Sequence, residues 1–243
     1  MVQSRGEMRP LVLLPGMNCT DDLWADCGLG DVLAPALDER SVSAQVDRLL
    51  AELPPIFVLC GLSLGAIVAM ALAAEAPGRV ERLCLISTNA KAPTPAQHES
   101  WRAWAERISA GETPAELQDE ILPALLSADA LAHRPDLVRR TRQMGAATSA
   151  STLDAQLAMQ GTRVDLRPTL RGIRIPTLVI SGIRDAICPP EFHHEIVAEM
   201  PNARLANVDG GHLLPLERAN VIGEAIRAWH TSEPWLTNAP RRT

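Results

Sequence analysis

Short apolar runs alternate along most of the chain with stretches whose apolar residues recur at helical spacing. The runs predict strands at Leu11 to Leu14, Val32 to Leu37, Ile56 to Cys60, Arg82 to Ser87, Thr177 to Ser181 and Ala203 to Val208. Between them the pattern predicts helices over Ser41 to Leu53, with Ser41 as cap, and over Leu64 to Ala76, stopped by Pro77-Gly78. Two more are predicted over Pro190 to Met200, stopped by Pro201, and over Leu216 to Trp229. Each helix sits where a crossover between parallel strands is needed, so the pattern argues for a mainly parallel sheet covered on both faces.

One stretch breaks the alternation. From about Lys91 to Leu170 there is no convincing strand, only helical pieces at Gln97 to Ser109, Pro114 to Leu126, Pro135 to Gly145 and Ser151 to Met159. This reads as a helical cap inserted into the core, entered through the Pro-rich Lys91-Ala92-Pro93-Thr94-Pro95. The expected division is a core of residues 10–90 and 171–230, a cap of residues 91–170, and a loosely held tail of residues 231–243. No internal repeat or low-complexity segment is visible.

The longest uncharged run, Leu53 to Ala74, has enough residues to span a bilayer. Gly61, Ser63 and Gly65 interrupt it, with β-branched and aromatic residues before them and helix formers after. A buried strand turning into a buried helix explains that order better. The polar Met1 to Pro10 lacks the apolar stretch of a secretory signal.

At 243 residues, 47% apolar and 21% charged, the chain can bury a core without disulfide or metal staples, and a disordered or fibrous class is excluded. The formal charge of -6, with basic residues scattered apart from Arg241-Arg242, argues against nucleic acid as a partner. Cys19, Cys27, Cys60, Cys84 and Cys188 are odd in number and form no Cys-x-x-Cys pair, so neither a disulfide framework nor a zinc site is expected, and a reducing cytoplasm suits the chain.

Gly61-Leu62-Ser63-Leu64-Gly65 follows a predicted strand and opens a predicted helix, the context in which a serine stands exposed on a sharp turn as a nucleophile. The pattern alone is weak, and a Gly/Ser turn that merely ends a strand would share it. Serine needs a neighbouring base to take its proton. Of six histidines, His212 hangs on a loop just past the strand Ala203 to Val208, at the same sheet edge as Ser63. His98 and His133 fall in the cap and His193, His194 and His230 on helices, where packing or surface roles are the default. Asp185 follows the strand Thr177 to Ser181 and is the candidate to orient His212. Its rival, Asp209, precedes two glycines and suits a turn. The oxyanion of an acyl intermediate needs two amide donors, for which Leu64 and Met17, after Gly16, are the candidates. Asn18 or Thr20 could add side-chain donors or serve as loop caps.

With Leu13-Leu14-Pro15-Gly16-Met17, the Gly61 to Gly65 motif, Pro176 to Gly182 with Asp185, and Gly210-Gly211-His212 in this order, the chain resembles a small serine hydrolase of the α/β-hydrolase fold from about Pro10 to Trp229. Many relatives carry His-Gly where this chain has Pro15-Gly16, and the usual leading hairpin is missing, so the resemblance implies a doubly wound sheet of about six or seven strands. It also implies hydrolysis of an ester, thioester or related acyl bond of a small molecule. Ser63 attacks, His212 shuttles the proton, Asp185 holds the imidazole, and the Met17 and Leu64 amides receive the oxyanion. No metal or organic cofactor is implied. Two alternatives stand beside it: a non-hydrolytic step such as elimination or cyclisation with His212 as base, and a ligand-binding receptor without turnover.

In the cap, Trp101 and Trp104 stand three apart and face either a pocket or the core. Met144, Asn89 and Cys188 are candidate wall residues, and Arg102 and Arg142 are candidates to meet an acidic substrate if they are not simply solvated. Nothing in the sequence names the substrate or the oligomeric state.

Overall fold

The computed structural model describes residues 9–231. The expected tail therefore lies, apart from Thr231, outside the described residues, as do residues 1–8 of the polar N-terminal segment. Five strands form one parallel sheet: β1 (Leu11–Leu14), β2 (Phe57–Leu62), β3 (Val80–Ile86), β4 (Thr177–Gly182) and β5 (Ala203–Val208), side by side in chain order. The helices in chain order are α1 (Val42–Glu52), α2 (Leu64–Glu75), α3 (Pro95–Ser109), α4 (Pro114–Leu125), α5 (Ala128–His133), α6 (Pro135–Ala147), α7 (Ala150–Gly161), α8 (Arg167–Leu170), α9 (Pro190–Glu199), α10 (Leu214–Glu217) and α11 (Ala219–Thr231).

The strands read as near-continuous apolar runs because both faces are covered, and alternate residues enter separate cores. Val12, Leu14, Phe57, Leu59, Leu83, Leu85 and Val179 pack with α1, α2 and α9. Leu11, Leu13, Val58, Cys60, Leu62, Cys84, Ile86 and Ile180 pack with α11 and a 3-10 helix over Asp21–Cys27. Right-handed crossovers between neighbouring strands put α1, α2 and α9 on one face together. The uncharged run from Leu53 to Ala74 resolves into β2 and α2, and among the described residues no helix is long and apolar enough to cross a membrane.

The expected strand Val32 to Leu37 is absent. Leu33 alone bridges the outer edge of β1, giving its amide to Leu11 O at 2.9 Å and taking Leu13 N at 2.8 Å. Pro35 has no N–H to continue the ladder, so the sheet has five strands and not six or seven.

All four predicted helical pieces of the insertion between β3 and β4 form, as α3, α4, α6 and α7. Thr94 with Gln97 and Thr113 with Glu116 make reciprocal capping boxes at α3 and α4, and the Ser149 hydroxyl accepts from Thr152 N at α7. α4 packs on α6 and α3 on α7. The terminal helix expected as one piece breaks at Arg218 into α10 and α11.

Candidate active site

Ser63 stands between β2 and α2 with φ 54° and ψ -114°, a conformation a side chain rarely adopts. Its neighbours make that turn possible. A Cβ on Gly61 would lie 2.5 Å from the backbone of Gly65, and one on Gly65 would lie 2.3 Å from Leu14 O. Both glycines are therefore required by close approach: α2 starts against the end of β2 and against the loop after β1. The Ser63 amide donates to Ile86 O at 3.0 Å, which fixes the turn to β3.

Asp185 and His212 lie on the loops after β4 and β5, both nearly inaccessible to solvent. His212 Nδ1 and Asp185 Oδ2 are 2.8 Å apart. The other carboxylate oxygen accepts the amides of Ile187 and Cys188 at 2.9 and 2.8 Å, so the carboxylate is oriented by its own loop before it meets the imidazole. Asp209, the rival acid, is half exposed and paired with Arg184 at 2.6 Å.

The His212 loop is tied down from two sides. Leu213 N donates to Leu125 O at 3.0 Å, linking it to the end of α4. The buried Glu217 accepts Gly211 N at 3.1 Å and, across the interface, both the amide and the hydroxyl of Ser127 at 2.8 and 2.6 Å.

Ser63 and His212 line one cavity of about 240 Å³, floored by the loop after β1 and roofed by α3 and α4. Met17 and Gly16 line it as well. The Leu64 amide is at the first position of α2, where an N–H has no intrahelical partner, and the helix N-terminus favours negative charge there. Asn18 does not face the cavity: it adopts φ 55° and spends its amide group on Pro114 O at 2.8 Å and Gln118 Oε1 at 2.9 Å, while its backbone N–H goes to Gln156 Oε1 at 2.8 Å. Thr20 precedes the 3-10 helix and makes no side-chain cap bond.

Trp101, Trp104, Asn89 and Cys188 line the cavity. The tryptophans do so while also packing against Ile108, Leu117 and Leu153, so the two readings of the pair are not exclusive. Met144 does not line it. Its side chain is buried among Leu122, Leu125 and Leu137, because the α6 face that carries it is turned onto α4. Arg102 and Arg142 are exposed and paired, Arg102 with Glu99 and Glu106 and Arg142 with Asp119.

All five cysteines are buried and free. Burial pushes the Cys188 thiol up to about 12, so it is held protonated. Asp185, Cys188 and His212 each bring one potential ligand atom within 4.8 Å of the others. Both oxygens of Asp185 are already engaged, and the protonated thiol is a poor ligand, so the trio is better described as a hydrogen-bonded pair beside a thiol.

Two residues that brace the serine turn had no signal in the sequence. Thr88, just past β3, donates its hydroxyl to Ser63 O at 3.1 Å, and its amide donates to Nε2 of the fully buried His193 on α9 at 3.0 Å. Burial outweighs the pull of the nearby Asp185 carboxylate and lowers the His193 pKa to about 4. The ring is therefore neutral and can accept that amide.

A strained serine between two glycines, a buried acid and imidazole on the two following loops, and a parallel sheet beneath them define the class. A model of the alpha/beta hydrolase family matches residues 11–224, and the chain belongs to that family. It is 30% identical over 227 residues to the pimeloyl-[acyl-carrier protein] methyl ester esterase of Aromatoleum aromaticum, covering 83% of this chain and 90% of that one. Among solved structures it is similar to a thermophilic esterase from Thermogutta terrifontis, with a TM-score of 0.81, 27% identity and coverage of 91% of this chain and 89% of that one. The enol-lactonase of Burkholderia xenovorans is also similar, with a TM-score of 0.78, 25% identity and 94% of both chains covered.

Proposed function

We propose that the protein is a serine esterase that cleaves a carboxylic ester of a small acyl substrate through an acyl-Ser63 intermediate. The observation that carries this reading is the 2.8 Å contact between Asp185 Oδ2 and His212 Nδ1 beside a cavity that Ser63 also lines. With Nδ1 committed to the carboxylate, Nε2 is the nitrogen left to take the serine proton. Ser63 Oγ bonds to the ester carbonyl carbon as its proton passes to Nε2, and the carbonyl electrons move onto oxygen. The Met17 and Leu64 amides receive that oxyanion. Its collapse expels the alcohol, protonated by His212, and water repeats the sequence to release the acid and free Ser63.

The esterase names of the relatives support ester hydrolysis in general and make methyl esters of acyl chains the first substrates to assay. Residues 91–170 act as a cap that supplies the cavity roof, and the remaining elements act as the core that holds the chemistry. Five buried thiols suit a reducing compartment.

The test is covalent labelling with a fluorophosphonate, followed by assay on methyl and 4-nitrophenyl esters. The parent labels and releases alcohol and acid, whereas Ser63→Ala does neither while keeping its unfolding temperature. Labelling of the Ala variant, or release of an olefin in place of an acid, overturns the reading.

A further inference from the structure

Arg163 is only 8% exposed, yet it lines the same cavity as Ser63. It lies where the chain returns from α7 toward the sheet. Nη1 donates to Gln160 Oε1 at 3.0 Å, and Nη2 donates to Asn89 Oδ1 at 2.8 Å and Lys91 O at 3.1 Å. All three acceptors are neutral. Nε is buried without a partner, and the guanidinium rests 5.9 Å from the Trp101 ring centroid. Among the described residues no carboxylate pairs with it, and no acidic side chain lines the cavity. Burial is the main influence on its pKa and pulls it down, the sign of a cation taken out of water without a counter-charge.

A permanent positive charge buried without an anion is costly unless something supplies one. Two other cations of the segment between β3 and β4 already have carboxylate partners: Lys91 pairs with Glu195, and Arg107 with Glu112 and Glu120. We propose that Arg163 is a specificity-determining residue that binds a carboxylate carried by the ester substrate, so the preferred substrates are half-esters of dicarboxylic acids. The proposal rests on the reading of Ser63 as the nucleophile. The cavity then has two ends with opposite tasks: the amides beside Ser63 hold the reacting carbonyl, and the guanidinium holds the free carboxylate. The apolar wall between them, Trp101 and Trp104 included, takes the methylene chain. Gln160, Asn89 and the Lys91 carbonyl engage three of the five N–H donors and aim the guanidinium; Nε is buried, which leaves one Nη1 donor, together with the charge itself, for the ligand.

A purely structural role, stapling the two ends of the insertion through Lys91 and Asn89, would need no charge in the cavity, so the test must separate the two. Monomethyl esters and dimethyl esters of the same linear dicarboxylic acids, in stepped chain lengths, differ only in the free carboxylate. For the parent at neutral pH, kcat/KM on the best monoester is expected to exceed that on its diester by at least about tenfold, the range of a charged hydrogen bond. In Arg163→Met that ratio is expected to collapse toward one, mainly through KM for the monoester. An equal loss on both esters, or a ratio left intact in the variant, overturns the proposal.

Binding is read separately from turnover. The free dicarboxylate is expected to raise the unfolding temperature of the parent, while its dimethyl ester and the Arg163→Met variant show no such gain. If the parent hydrolyses both esters without preference, the Arg163 proposal fails and the Ser63 reading survives. If the dicarboxylate stabilises the parent but not the variant and neither ester is cleaved, the Ser63 reading fails and the anion site stands. Should Arg163→Met not fold, the parent still decides: a dicarboxylate that does not slow fluorophosphonate labelling of Ser63 overturns the proposal.

Discussion

Thr88 and His193, more than one hundred positions apart in the chain, meet through a 3.0 Å bond from the Thr88 amide to His193 Nε2. Because Thr88 also donates its hydroxyl to Ser63 O, the orientation of the serine turn depends on a ring that never reaches the cavity. A protonated ring has no lone pair for that amide, so the contact exists only while His193 is neutral.

That dependence predicts an acid sensitivity. His193 titrates at about 4 in the folded protein and at about 6.5 when unfolded. The unfolded state therefore takes up the proton first as pH falls. The stabilisation is whole above about pH 6.5 and is lost progressively down to about pH 4, a change of order 3 kcal/mol. His193→Gln keeps an acceptor for Thr88 and removes the titration. Urea unfolding across that interval should show a flatter profile for the variant than for the parent, and parallel profiles would mean that His193 is not the group responsible.

The loop after β1 is set by Asn18, which ties it to both α4 and α7. Asn18→Gly keeps the positive φ and deletes the amide group, leaving Gln118 Oε1 and Pro114 O short of a donor. We expect a stability loss of about 1 to 3 kcal/mol and, because Met17 is the adjoining residue, a fall in kcat of roughly 10- to 100-fold with KM little changed. An unaltered kcat in the folded variant would overturn the proposal that the Met17 amide receives the oxyanion.

Gly65 tests the packing of the serine turn. In Gly65→Ala the new methyl would meet Leu14 O at 2.3 Å and Pro15 O at 2.5 Å, both backbone, so the whole loop after β1 must move. The variant should lose several kcal/mol, about 3 or more, whereas Gly78→Ala, which meets nothing within 4 Å, should stay within about 0.5 kcal/mol of the parent. Comparable unfolding temperatures for the two variants would contradict the close approach.

Local signals made the sheet legible from the sequence. β1, β4 and β5 begin and end within a residue of their expected bounds, because each is a compact apolar run with turn residues on either side. Val32 to Leu37 failed for an equally local reason, Pro35, which was in plain view and outweighed the apolar run around it. The pairing of Asp185 with His212 followed from loop position alone, since the carboxyl ends of parallel strands share one edge. Arg163, Thr88 and His193 were not legible, because their significance depends on which partners surround them. An arginine between Thr162 and Val164 looks solvated in sequence, and only folding removes its water while giving it no acid. Met144 erred in the opposite sense: an apolar residue on a cap helix can face the cavity or the core, and periodicity cannot tell which.

The roof of the cavity carries the last prediction. Trp104 lines the cavity and packs against the cluster of Ile108, Leu117, Leu153 and Leu157, with its indole N–H 3.4 Å from Glu120 Oε1. Ser63, Asp185 and His212 are carried by the ends of β2, β4 and β5 and the loops that follow them, outside α3. Trp104→Ala removes wall from the acyl end while those loops keep their own bonds. Binding of a long acyl chain should weaken by roughly 1 to 3 kcal/mol of transition-state stabilisation, and an acetyl ester, too short to reach the roof, should lose much less. The quantity to measure is the ratio of kcat/KM on a long-chain ester to that on the acetyl ester, in a variant whose unfolding temperature has been recorded. A ratio equal to the parent's would mean that Trp104 supports the insertion and not the substrate, because damage to folding or chemistry lowers both terms alike whereas a lost wall lowers only one.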